Sequence, residues 1–326
     1  MRAWLAPLIG ALGRGEAAVL VHVGELKGSG PREVGAQMLV TETGLCGTIG
    51  GGQLEHSAVL KARELLELGR AGLVRYALGP ELNQCCGGSL VLAFEPFAPA
   101  DRAWVSRLAA AAAEPEPVFR TLRIDAAGAL RRDRAETGDG AVFGATMSDD
   151  AVDIRERLNP PAPALWLFGA GHVGRAIAYA VAPLGFAITW IDGRAGYLPE
   201  PAPAGIKALA LAMPELAVDE APPGTTFLVM THSHPLDEAV CEAVLRRDDF
   251  AYLGLIGSAT KRARFVRRLR EAGILRSQLE RLTCPIGLPG IRSKEPAAIA
   301  ASVAADLLIR REKALLTGTD AALHGR

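Results

Sequence analysis

Two adjacent thiols, Cys85 and Cys86, are followed by Gly87 and Gly88 in the run LGPELNQCCGGSLVLAF. Neighbouring thiols on a polar, glycine-flanked turn can present sulfur to a soft metal or to a persulfide donor, which makes Cys85 and Cys86 candidate metal ligands. They precede the apolar run rather than sitting in it, whereas a structural cysteine is normally buried in such a run. A second constellation lies far downstream, where Gly169, Gly171 and Gly174 stand in G-x-G-x-x-G spacing between an apolar strand and a helix. That context is what a phosphate-binding turn requires. The first glycine makes the turn, the second admits a phosphate to the backbone, and the third lets helix and strand pack closely. Asp192 ends the next strand, at the position of a ribose hydroxyl acceptor, so the turn is a candidate site for a dinucleotide.

A third candidate is the triple glycine Gly50, Gly51, Gly52, followed by Gln53 at a helix start, with Arg32 on the neighbouring GSGPREVG loop. Free N–H groups there can hold an anion. Cys46, just upstream, is expected to face the same cleft. His232 and His234 form an H-x-H at the end of a strand, where two imidazoles and a nearby carboxylate can ligate zinc or iron or hydrogen-bond a ligand. Lys261, Arg262, Arg292 and Lys294 are placed at helix starts where they can neutralise a phosphate.

These residues need two scaffolds to position them. The chain has 326 residues, 49% hydrophobic and 22% charged, a soluble globular profile with room for two cores. Its 36 basic and 36 acidic residues cancel, so no footprint for nucleic acid or an anionic membrane is expected. No run is long enough for a membrane span, and glycines and charges break up the apolar N-terminus that could be mistaken for a signal peptide. Five scattered cysteines argue against a disulfide framework and for a reduced, cytoplasmic protein.

The expected fold is α/β, an N-terminal α/β accessory domain over 1–145 followed by a Rossmann-like doubly wound parallel-sheet domain over 164–326. The Asp-, Pro- and Ala-rich stretch 146–163 between them reads as a stiff linker. In the first half, strands are expected at 17–26 and 35–42, a helix after Gly52, strands on either side of the double cysteine, a helix near 101–113 and two further strands. In the second, a strand, the glycine turn and a helix lead to a strand ending at Asp192, and the later strands TTFLVMTHS and AYLGLIGS each lead into a helical segment.

Seven segments occur here in one order: GSGPREVGAQM, GTIGGGQLE, QCCGG, LFGAGHVGRAIA, THSHPLDEAVCEAVL, YLGLIGSATKRARF and CPIGLPGIRSKEPAAIAASVAADLL. Together they resemble the xanthine dehydrogenase accessory factors, the XdhC/CoxI family, across residues 5 to 312. The resemblance implies a cytoplasmic chaperone, not an enzyme, that binds molybdenum cofactor. Such a protein works with a cysteine desulfurase while a terminal molybdenum ligand is exchanged for sulfur, then passes the product to apo-xanthine dehydrogenase. It places the Cys-Gly-Gly of cofactor handling on Cys86, with Cys85 beside it. Expected partners are xanthine dehydrogenase, the desulfurase and molybdenum cofactor biosynthesis proteins, in a homo-oligomer such as a dimer. One departure is GRAGYLPEP after Asp192, where the family often has Arg followed by Phe-Pro. The alternative from the residues alone is an NAD(P)-dependent oxidoreductase using the glycine turn and a His-based acid. It leaves the Cys-Cys-Gly-Gly and triple-glycine segments without a role.

Overall fold

The computed structural model describes residues 2–78, 88–133, 135–194 and 196–324, with side chains described to residue 314. Cys85, Cys86 and Gly87 therefore lie outside the described residues. The chain divides into two compact units, Met1–Pro161 and Ala162–Arg326.

The first unit opens with α1 (Leu5–Gly13), β1 (Ala18–Lys27), β2 (Gln37–Thr41), β3 (Leu45–Gly47) and α2 (Gly52–Leu68). It continues through β4 (Gly72–Ala77), β5 (Ser89–Phe97) and α3 (Arg102–Ala111). The last strands are β6 (Val118–Asp125), β7 (Leu130–Arg132), β8 (Glu136–Thr137), β9 (Phe143–Met147) and β10 (Ala151–Arg157). The strands form two antiparallel sheets, one ordered β3-β2-β1-β5-β4 and one ordered β7-β6-β10-β9 with β8 also on β6. The apolar run of β1 is continuous because both of its faces are covered. Val19, Val21 and Val23 pack on Leu54, Ala58, Ala62 and Leu65 of α2. Ala18 and Leu20 point the other way, onto Leu5 and Leu8 of α1 and Val105 and Leu108 of α3. Period-2 alternation thus assigns each side chain to one of two cores.

The expected linker needs correction, because residues 151–157 inside it are β10, paired with both β6 and β9. The sequence AVDIRER alternates, and Val152 and Ile154 are buried against Leu122 and Ile124 of the same sheet. The surrounding Asp and Pro residues gave the stretch a linker composition that masked this period of two.

The second unit comprises β11 (Ala164–Phe168), α4 (His172–Val181), β12 (Ala187–Asp192), β13 (Ile206–Ala210), β14 (Thr226–Val229) and α5 (His234–Arg247). There follow β15 (Tyr252–Leu255), α6 (Ala259–Glu271), α7 (Arg276–Glu280), β16 (Leu282–Thr283) and α8 (Pro296–His324). All six strands are parallel, in the order β13-β12-β11-β14-β15-β16. This is the doubly wound dinucleotide-fold order, with its crossover point between β11 and β14. One face carries Val240, Val244 and Phe265 of α5 and α6, and the other Ile177, Ala300 and Val303 of α4 and α8. Among the described residues, no helix is long and apolar enough to cross a membrane.

Candidate functional site

At the crossover point, β11 runs into the glycine turn and α4. Gly169 adopts φ +115°, and a Cβ there would meet the Met230 carbonyl oxygen far inside the 3.0 Å floor of real Cβ contacts. A Cβ on Gly174 would strike the Gly169 carbonyl oxygen equally hard. Packing within the chain therefore accounts for these two glycines. Gly171 differs: it has φ −70°, caps α4, and a Cβ there would meet nothing within 4 Å among the described residues. The open space in front of Gly171 is at the positive end of α4, where an anion is favoured.

Asp192 does not stand ready for a ribose. It is buried, its Oδ2 accepts the Ala170 N–H at 2.6 Å, and Oδ1 accepts the Arg194 N–H at 2.9 Å. The Arg194 guanidinium grips both oxygens, at 3.0 and 2.8 Å, and lies 3.6 Å from the centre of the Tyr197 ring. Burial alone would raise the Asp192 carboxyl. The bonds from Arg194 and Ala170 outweigh it and hold the group below the ordinary carboxylate range. This carboxylate ties the glycine turn to the segment after β12.

On the far side of the crossover, Asp237 in the first turn of α5 is 1% exposed. Its Oδ1 accepts the Thr231 N–H and hydroxyl, each at 2.8 Å, and its Oδ2 accepts Lys261 Nζ at 2.7 Å. Lys261 also donates to the Ile256 carbonyl at 3.0 Å. Lys261 is thus an internal clamp between α5 and α6, not the free phosphate-neutralising cation expected of it. Arg262 reaches the Leu282 carbonyl. His232 and His234 are exposed, while their nearest acidic neighbour in sequence, Asp237, is turned inward. Among the described residues, no group of three His, Cys, Asp or Glu side chains could hold a metal.

In the first unit the triple glycine already holds an anion of its own. Glu55, in the first turn of α2, accepts the Thr48 hydroxyl at 2.5 Å and the Ile49 and Gly51 N–H groups, each at 3.1 Å. Burial pushes the Glu55 carboxyl up, but the Thr48 hydroxyl and the loop N–H groups together bring it below its ordinary value. Glutamate in the first turn of a glycine-started helix was the signal available for this in the sequence. The loops themselves do converge. Gly50, at φ +125°, packs so closely that a Cβ would lie 2.5 Å from Pro31 Cβ. Gly88 packs so that a Cβ would lie 2.5 Å from the Lys27 and Ser29 carbonyl oxygens. The Leu78 N–H donates to the Gly88 carbonyl at 2.7 Å, so both flanks of the Cys-Cys-Gly segment meet beside the 28–33 loop. Arg32 is exposed enough to bind a ligand and is paired with Glu33 at 2.9 Å. Cys46 does not share this cleft. It packs with the α1 and α3 core, on the opposite face of the sheet from α2.

A buried charge cluster between the two sheets of this unit was not expected from the sequence. Arg120 donates bidentately to Glu95, at 2.9 and 3.0 Å, and through Nε to Glu156 at 2.6 Å. Gln37 donates to Glu156 Oε2 at 2.9 Å and meets His22 Nδ1 at 3.1 Å, and His22 Nε2 meets Glu95 at 3.2 Å. A carboxylate only accepts and an amide NH2 only donates, so this set needs the His22 proton on Nε2. All of these groups face inward with Ala93, Leu122 and Ile154, which makes the cluster the polar part of the sheet-to-sheet interface.

Comparison with known proteins fits this architecture. The family model described as the XdhC Rossmann domain matches residues 165–307, and that of the XdhC and CoxI family matches residues 11–77. The chain belongs to the XdhC and CoxI family. This XdhC-family chain is 40% identical over 86 residues to the molybdenum cofactor insertion chaperone PaoD of Escherichia coli strain K12, a match covering 25% of this chain and 27% of PaoD. It is 36% identical over 149 residues to the uncharacterized protein YqeB of the same strain, covering 45% of this chain and 27% of YqeB. It thus spans about a quarter of the length of each of these two relatives. A probable xanthine dehydrogenase subunit of Bacillus subtilis strain 168 is 24% identical over 325 residues, covering 91% of this chain and 94% of that one. The crystal structure of a xanthine dehydrogenase from Bacillus halodurans superposes with a TM-score of 0.76 at 21% identity over 95% of this chain and 96% of that one, a likeness of fold.

Proposed function

We propose that this XdhC-family protein is a non-catalytic carrier that binds molybdenum cofactor and delivers it to apo-xanthine dehydrogenase. It holds the cofactor while a cysteine desulfurase supplies the sulfur exchanged for a terminal molybdenum ligand. The observation that carries the reading is the local match to PaoD, a molybdenum cofactor insertion chaperone, within a chain whose two halves both match family models. The cofactor is cargo that combines a metal with an anionic phosphate. Each unit carries its own candidate contact, the thiols Cys85 and Cys86 for the metal in one and the α4 start at Gly171 for the phosphate in the other.

The nicotinamide oxidoreductase reading is weaker on two counts. The acceptor that a dinucleotide ribose needs, Asp192, is committed to Ala170 and Arg194. His232, the acid that such chemistry would use, is exposed and lacks an orienting carboxylate among the described residues. The test is equilibrium gel filtration of the purified chain with released molybdenum cofactor, reading molybdenum in the protein peak, alongside titration with NADH. Co-eluting molybdenum with no NADH binding supports the carrier. Saturable NADH binding with no retained molybdenum refutes it.

A further inference from the structure

The closing segment CPIGLPGIRSKEP, singled out in the sequence, has no part in the site above, yet it builds a groove of its own. The loop after β16 is fastened to α8 by Ser302, whose buried Oγ accepts the Leu288 N–H at 2.8 Å. Gly287 sits so close that a Cβ there would be 2.5 Å from Ser302 Oγ. Between loop and helix lies a cavity of about 480 Å³. That volume falls within the usual range for small-molecule sites. Its walls are apolar, chiefly Ile286, Leu288, Ile291 and Ile299, and Asp306 and Arg310 close one end.

Asp306 is the polar anchor. Its side chain is nine-tenths buried, Oδ2 accepts the Tyr252 hydroxyl at 3.2 Å, and Oδ1 accepts Arg310 Nε at 3.0 Å. Each carboxylate oxygen has two acceptor positions, so each keeps one after these bonds. Arg310 stacks 4.0 Å from the centre of the Tyr252 ring. Burial, and then the Asp306 charge, push the Tyr252 hydroxyl well above its ordinary value, so Tyr252 stays a donor. Further along the loop, Ile291 is 50% exposed, and Arg292 and Lys294 are exposed with no ion pair among the described residues.

An apolar slot ending in a carboxylate with two free acceptor positions selects a flat ring that offers two adjacent N–H donors. We propose that this groove binds the 2-amino-4-oxopyrimidine edge of a fused bicyclic heterocycle. Asp306 accepts its two neighbouring N–H groups, and the phosphate of a nucleotide in the groove runs toward Arg292 and Lys294. Pterin and guanine share that edge, whereas adenine lacks it. With pterin as the source, the groove is the ring subsite for the cargo and rests on the carrier reading. With guanine as the source, it is a nucleotide site independent of that reading.

Fluorescence titration with 6-carboxypterin, competed by GMP and by AMP, separates these cases. The expected result is saturable pterin binding, with AMP competing at least about 10-fold more weakly than whichever compound is the true source. Displacement by GMP at lower concentration than by unlabelled pterin assigns the site to a nucleotide, and the reverse order assigns it to the cargo. Asp306→Asn turns one acceptor into a donor and should weaken binding about 10- to 100-fold. Ile291→Arg, at an exposed position where folding is not at stake, should block binding as well. Equal competition by AMP, wild-type affinity in both variants, or no saturable binding of either ring overturns the proposal. Molybdenum retention is read in parallel by gel filtration. Wild-type chain that retains molybdenum yet binds neither ring sinks the groove and leaves the carrier reading standing. Ring binding without molybdenum retention does the opposite.

Discussion

Exchanging the three turn glycines for alanine, one at a time, should separate packing from ligand binding. At Gly174 two effects oppose each other. Alanine in a helix interior gains roughly 0.5–1 kcal/mol over glycine. Against this, its Cβ would lie well inside the 3.0 Å floor against the Gly169 carbonyl oxygen, a backbone atom that cannot rotate away. Overpacking of that kind costs about 1–3 kcal/mol, so Gly174→Ala should lose about 1–2 kcal/mol net. At Gly169 the clash with the Met230 carbonyl is as severe, and the φ of +115° adds about 1–2 kcal/mol with no gain to offset it. The expected loss is about 2–5 kcal/mol. For a unit of this size each kcal/mol lowers the melting temperature by about 2–4 °C, so Gly169→Ala should melt roughly 4–20 °C lower and Gly174→Ala roughly 2–8 °C lower. Gly171→Ala meets nothing within 4 Å and should melt within about 2 °C of wild type, while cofactor retention falls because the methyl occupies the anion's approach. Differential scanning calorimetry and molybdenum retention on the same three proteins decide the matter. A Gly171→Ala protein that melts as low as the other two, or that retains cofactor fully, would refute the reasoning.

Three further outcomes are expected. Arg120→Met removes the central charge and leaves Glu95 to Arg132 and His22 and Glu156 to Arg2 and Gln37, and it should cost about 3 kcal/mol at pH 7 by urea unfolding, the low end for breaking a buried ion pair. Burial raises Glu95 and Glu156, but Arg120 acting together with His22 and Arg132 at Glu95, and with His22, Arg2 and Gln37 at Glu156, outweighs it, so both carboxyls sit below their ordinary 4.5 in the folded chain. Their contribution is therefore present above that value and fades as pH falls below it, and the gap between variant and wild type should narrow on acidification. A gap that widens in acid would show that the pairing is not the source. Glu55→Gln should cost about 1 kcal/mol by thermal melting, since a neutral amide is a poorer acceptor for the loop N–H groups, and an added phosphate should not restore stability. Recovery with phosphate would mean that the loop is an open anion site after all. Replacing both Cys85 and Cys86 by Ala should lower cofactor retention with an unchanged circular dichroism spectrum. Full retention would remove the thiols from the site.

The parallel sheet was legible because its strands are short, apolar and glycine-punctuated, and the G-x-G-x-x-G context held on both sides. The strand at 151–157 was hidden because Asp, Asn and Pro around it imitate a linker, although Val152 and Ile154 keep the alternation. Site residues were harder to read than elements, since sequence shows a polar group but not its partner. Asp192, Lys261 and the triple glycine all look free in one dimension. Folding brings Arg194, Asp237 and Glu55 to them and uses their bonding capacity. The Glu95–Arg120–Glu156 cluster was invisible for a related reason: its members come from β5, β6 and β10 and meet only when two sheets stack. Gly171 remains the informative glycine because no contact among the described residues accounts for its missing side chain.

The carrier claim is tested most directly by handover. The chain is loaded with molybdenum cofactor, freed of unbound ligand, mixed with apo-xanthine dehydrogenase, and separated by size, with molybdenum measured in each fraction. Molybdenum moving from this chain to the dehydrogenase, faster than from an equal amount of free cofactor, is the expected result. Molybdenum that stays with the chain, or that reaches the dehydrogenase no faster than free cofactor does, would contradict it.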